Sequence, residues 1–76
     1  MSEEIVLDAR GLSCPLPVLK ARKRLQAMAP GERLRVLATD PKAPADFRLY
    51  CSESGQRLIE ERQSGVVFEL LLERAG

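Results

Sequence analysis

The stretch Gly11-Leu12-Ser13-Cys14-Pro15-Leu16-Pro17 limits what can precede and follow it. Two prolines one residue apart belong in neither a central strand nor a helix interior, because each lacks a backbone N–H and has its φ fixed near ~−65°. The first turn of a helix accepts both, since amides there have no intrahelical acceptor in any case. A helix is therefore expected from residue 15, with a loop before it that turns at Gly11. Cys14 then falls at or beside the N-cap, facing free amides and the positive end of the helix dipole. A free thiol titrates near ~8.5, and such a position lowers that value. The expectation is a thiolate on the rim of the fold, held by Pro15 and Pro17.

The other residues narrow the chemistry. The chain has 76 residues, two cysteines and no histidine. A chain this short buries only about 60% of its unfolded surface, so one modest two-layer domain over residues 1–76 is expected. Without histidine, Cys-His nucleophilic catalysis is excluded within the chain, and a Cys/His zinc site is disfavoured; no metal or cofactor is expected. A net charge of +1 and the absence of Trp argue against general nucleic-acid binding. The start, Met1-Ser2-Glu3-Glu4, is acidic and has no apolar signal-peptide core, and no run reaches membrane-spanning length. These features read as a soluble cytoplasmic protein with reduced thiols and no direct membrane contact.

Taken in order, residues 4–8 read as a first strand, with Ile5 and Leu7 on one face. Residues 15–28 read as a helix whose inner stripe is Val18, Ala21, Leu25 and Met28. Lys20, Lys23 and Arg24 form its basic side, and Leu16 projects among them. Pro30-Gly31 turns the chain into a second strand, 32–39, with Leu34, Val36 and Ala38 inward. Asp40-Pro41 signals a second helix ending at Gly55, with Ala43, Phe47, Tyr50, Cys51 and Ser54 on one side. Cys51 reads as a packing thiol. Arg57 to Arg62, a Gln63-Ser64-Gly65 turn and Val66 to Glu73 read as a hairpin. The order β-α-β-α-β-β gives an α/β (α+β) two-layer sandwich: a mixed four-stranded sheet with both helices on one face. The first two strands form a parallel βαβ unit, so both helix N-termini emerge at one sheet edge. The Cys14 loop and the Thr39–Lys42 loop are then neighbours, and Arg10 and Lys42 are candidates to support an anion near Cys14.

Leu7-Asp8-Ala9-Arg10-Gly11-Leu12-Ser13-Cys14-Pro15-Leu16-Pro17 resembles the CPxP signature of the TusA/SirA-like family, and the basic helix after it fits the same pattern. Met28-Ala29-Pro30-Gly31-Glu32, Ala38-Thr39-Asp40-Pro41 and Asp46…Cys51…Gly55 resemble further family blocks, so the likeness runs from about residue 6 to 73. It implies a sulfur carrier in which Cys14 takes up sulfane sulfur as a persulfide, with Pro15, Pro17, Gly11 and Arg10 supporting it. Implied donors are a cysteine desulfurase or a rhodanese. Implied acceptors are DsrE-like or other relay proteins, in tRNA thiolation, molybdenum cofactor supply or sulfur oxidation. Leu16, Lys20, Lys23 and Arg24 suit docking to acidic partners. Phe47-Arg48 and Gln56 stand where the family often has Ile-Pro and His.

No general base or cofactor site is visible, so no autonomous catalytic machinery is expected. The competing reading is a regulatory or interaction module in which Cys14 only caps the helix. A thiol peroxidase would need a resolving cysteine or an Arg/Thr constellation, and neither is evident.

Overall fold

The structure is a computed structural model, and it describes residues 4–76. Most of the acidic start, Met1 to Glu3, lies outside the described residues. Six elements follow one another: β1 (Ile5–Ala9), α1 (Leu16–Gln26), β2 (Arg33–Ala38), α2 (Ala43–Ser54), β3 (Arg57–Ser64) and β4 (Val67–Glu73). The strands form one sheet in the order β1-β2-β4-β3. β1 and β2 run parallel with Leu7 opposite Val36, while β4 lies antiparallel to both β2 and β3. This is the mixed four-stranded sheet with two helices that the residue pattern calls for.

The core lies between the sheet and the helices. Leu34, Val36 and Ala38 of β2 alternate inward and meet Ala21 and Leu25 of α1, Phe47 of α2 and Leu70 and Leu72 of β4. Phe47, Leu25, Leu34, Leu70, Leu72 and Val36 are its largest fully buried side chains. Burying each contributes about 2 kcal/mol. Cys51 is buried among them, as a packing thiol should be.

Several boundaries differ from expectation for local reasons. β1 takes in Ala9, which is fully buried and pairs with Ala38. α1 stops at Gln26, two residues early, yet Met28 remains buried in the core. The hairpin turn moves to Gly65-Val66, so β3 runs on to Ser64. Gly55 ends α2 with φ at +82°, the left-handed geometry that favours glycine at a helix C-terminus.

A register shift in β3 between Leu58 and Glu60 sets the sheet's outer face. Leu58 keeps its place on the core side, and Glu60 comes to lie beside Leu71 on the other. Arg35 flanks Leu71 from β2. Its guanidinium reaches Glu4 at 3.0 Å, Glu69 at 3.3 Å and Glu60 at 3.8 Å. The Arg35–Glu60 pair spans Leu71, so this leucine is buried although it faces away from the helices.

Candidate functional site

The loop after β1 and the loop after β2 meet at one edge of the sheet, as the parallel pairing requires. Gly11 takes φ +80°, and its N–H donates to Thr39 Oγ1 at 2.9 Å. The Cys14 N–H donates to Asp40 Oδ2 at 2.6 Å, and Asp40 Oδ1 accepts from the Lys42 N–H at 2.9 Å. Asp40 thus fixes the backbone of the cysteine loop and the entry to α2 with one carboxylate. These two amide bonds hold Asp40 below the usual carboxylate range.

Pro15, not Cys14, occupies the N-cap of α1, and no side chain bonds to that helix end. The reading in which Cys14 acts only as a cap therefore has no bond behind it. Pro17 lies in the first turn and is buried, whereas Pro15 is exposed. Neither proline has an N–H, and the Leu16 N–H already donates to Ser13 O. Little of this helix end is left to face an anion.

The electrostatics correct the expected thiolate. Cys14 is exposed, but its pKa is raised above the ordinary thiol value. The main cause is the Asp46 carboxylate, which lines the same groove; desolvation and Asp40 add to it, and Lys42 opposes it. A carboxylate beside a thiol disfavours a second negative charge. Asp46 stands in the first turn of α2. It and Cys14 face each other across a shallow groove of about 230 Å³ between the helices, closed by Val18, Leu49 and Tyr50.

Arg10 does not attend the sulfur. Its guanidinium holds both carboxylate oxygens of Asp8 at 2.9 Å, and this pairing pulls Asp8 down to about 2. The charge of Lys42 favours the Cys14 thiolate, more weakly than the neighbouring carboxylates oppose it. Lys20, Lys23 and Arg24 line a second groove with Leu7 and Ala27, on the flank of α1 above the free edge of β1. Leu16 is 44% exposed and Leu49 59% exposed. The sequence reading passed over Leu49 and the effect of Asp46. The available signal was the parallel βαβ unit, which brings the first turn of α2 to the cysteine edge.

The departures at Phe47-Arg48 and Gln56 have local partners. Phe47 fills the core, Arg48 pairs with Glu61 at 2.8 Å, and Gln56 Oε1 accepts the Ala75 N–H at 2.7 Å. None of these three contacts the Cys14 loop. Among the described residues no cluster of His, Cys, Asp and Glu is arranged to hold a metal ion, and no helix is long and apolar enough to cross a membrane.

The fold and the sequence both have known relatives. A SirA-like protein from Desulfitobacterium hafniense superposes with a TM-score of 0.82, covering 95% of this chain and 99% of that one at 24% identity. The sulfur carrier protein TusA of Allochromatium vinosum is 44% identical over 69 residues, 91% of each chain. The sulfur carrier protein TusA of Pseudomonas aeruginosa is 39% identical over 62 residues, 82% of this chain and 78% of that one. The family model described as sulfurtransferase TusA matches residues 5–74. On that match the chain belongs to the TusA family of sulfur carriers.

Proposed function

We propose that Cys14 is the residue that carries sulfur. The observation behind this is its place: an exposed thiol at the rim of a groove, in a chain of the sulfur-carrier family. In the transfer, the Cys14 sulfur attacks the outer sulfur of a donor persulfide R–S–SH. The donor's S–S bond breaks, a new one forms on Cys14, and the departing R–S⁻ takes the proton that Cys14 gives up. The products are Cys14–S–SH and R–SH. A second thiol removes the outer sulfur in the same way. The chemistry needs a thiolate and access, and the groove supplies access from solvent.

The donor side fits a cysteine desulfurase or a rhodanese, and the acceptor side a DsrE-like or other relay protein. The end use is tRNA thiolation, molybdenum cofactor supply or sulfur oxidation. Lys20, Lys23 and Arg24 give the docking face its charge, and Leu16 its apolar contact. Pro15, Pro17 and Gly11 shape the loop.

Intact mass spectrometry tests the assignment. After incubation with thiosulfate and a rhodanese, or cysteine and a desulfurase, the protein should gain one reducible sulfur, about +32 Da, on Cys14. Cys14→Ser should gain none. A Cys14→Ser protein that still took up sulfur would move the site to Cys51, and no adduct from either donor would favour an interaction module.

A further inference from the structure

The sheet has two open edges, β1 and β3, and they are finished differently. In a strand paired on one side only, alternate residues turn their N–H and C=O groups outward. β3 is guarded against further pairing. Its register shifts between Leu58 and Glu60, and Arg57, Glu60, Glu61 and Arg62 crowd it with charge of both signs. β1 has neither device. It runs Ile5-Val6-Leu7-Asp8-Ala9 in unbroken register with β2, and its one charged residue, Asp8, is held by Arg10. Val6, on the face away from the helices, is 54% exposed. On the helix side of this edge Lys20, Lys23 and Arg24 rim a groove of about 360 Å³ over Leu7 and Ala27, and among the described residues no carboxylate lines it.

We propose that β1 takes up an extended acidic segment of a partner protein as a fifth strand of the sheet. This deepens the docking role given to Lys20, Lys23 and Arg24 and rests on it, but not on Cys14 as the sulfur-bearing residue. Main-chain hydrogen bonds to the outward groups of β1 supply affinity, and the groove selects among side chains. Side chains of the added strand alternate between the two faces of the sheet. Those on the helix side enter the basic groove and are acidic. Those on the other side pack against Val6 and are apolar. The partner segment therefore carries carboxylate and apolar residues in turn. A second copy of this chain does not fit the edge, because antiparallel pairing of two β1 strands sets two basic flanks against each other. β1 leads through Gly11 into the Cys14 loop, so a segment anchored on it holds its protein on the thiol side of the molecule.

The probe is a capped peptide of alternating Glu and Val, of the same length as β1, added to the full chain. Amide hydrogen exchange followed by NMR should show new protection of the outward amides of β1 and no change along β3. The same peptide N-methylated at every backbone amide keeps its charges and loses its main-chain donors. It should bind roughly tenfold or more weakly, the effect of losing two or three net hydrogen bonds. Changing Lys20, Lys23 and Arg24 together to Gln should weaken the unmethylated peptide by a similar factor. The two readings fail separately. Equal binding of both peptides, with loss in the triple variant, leaves the basic flank as a docking face and overturns strand addition. Binding that the triple variant does not alter overturns both. A peptide that leaves the β1 amides unprotected, or protects β3 instead, also overturns the proposal. So does protection of β1 that grows with the concentration of the protein alone, which assigns the edge to a second copy.

Discussion

The two thiols of this chain are the same functional group in two settings. Cys14 is open to solvent and faces a carboxylate; Cys51 is buried, and desolvation alone pushes its pKa up. Both therefore hold their protons in the native state to higher pH than an ordinary thiol. Iodoacetamide under native conditions should label Cys14 and leave Cys51 untouched until the chain unfolds. The Cys14 rate should rise about tenfold per pH unit through neutrality and level off only above the pH at which an ordinary thiol does. The stability consequence has a definite sign. Where the unfolded chain has released protons that the native state still holds, stability falls as pH rises. That loss starts at about 8.5, where unfolded thiols titrate, and grows in the alkaline direction; a melting temperature that climbed between about pH 9 and 10 would contradict it.

Among the elements, α2 carries the greatest responsibility for the site, since it fixes Asp46 on one side and the core on the other. Phe47, the next residue, is fully buried. Phe47→Ala should cost about 3–5 kcal/mol of stability, measured by urea or thermal unfolding. A chain of this size has roughly 4–11 kcal/mol in all, so the variant should lie close to unfolding at 37 °C. Less than about 1 kcal/mol of loss would mean that α2 is not anchored through this ring. Most of this element was legible in the sequence. Asp-Pro pointed to its start two residues early, Gly55 marked its end, and the spacing of Ala43, Phe47 and Cys51 its buried side. The strands of β2 and β4 were equally plain from alternation. The bulge near Ile59 was not, because the register of β3 is set against β4 and not by the local run Arg57 to Arg62. The thiol's electrostatics were misread for a similar reason. Asp46 and Cys14 are 32 positions apart, and local rules about helix ends count only the near neighbours of Cys14.

For the molecule as a whole, a net charge of +1 conceals an uneven surface. Lys20, Lys23 and Arg24 gather on the flank of α1, while Asp40, Asp46 and Glu53 surround the sulfur edge. Association with an acidic sulfur donor should be steered by the basic flank. Its rate should fall about tenfold or more between low salt and 0.5 M salt. Neutralising the three basic residues to Gln should slow association by a similar factor at low salt and abolish most of the salt dependence, as followed by stopped-flow or surface-binding kinetics. An unchanged salt response in that triple variant would remove the flank from the docking face.

The sheet order has a consequence for how the protein comes into being. β4, the last strand in the chain, sits between β2 and β3 and is the partner of both. A nascent polypeptide that has emerged only as far as β3 has no complete sheet to join. β1 and β2 can pair, but β2 presents a bare edge and β3 has nothing beside it. Beyond the strand, Arg74 exchanges backbone hydrogen bonds with Gly31 and Glu32 and donates its guanidinium to Leu25 O. The end of α1 is thus tied to a residue made 49 positions later. Synthesis must run past Arg74 before the sulfur-bearing loop has a folded body to stand on. Any fragment that stops short of β4 is an exposed strand edge with a reactive thiol attached, a better substrate for quality-control proteases than for a sulfur donor.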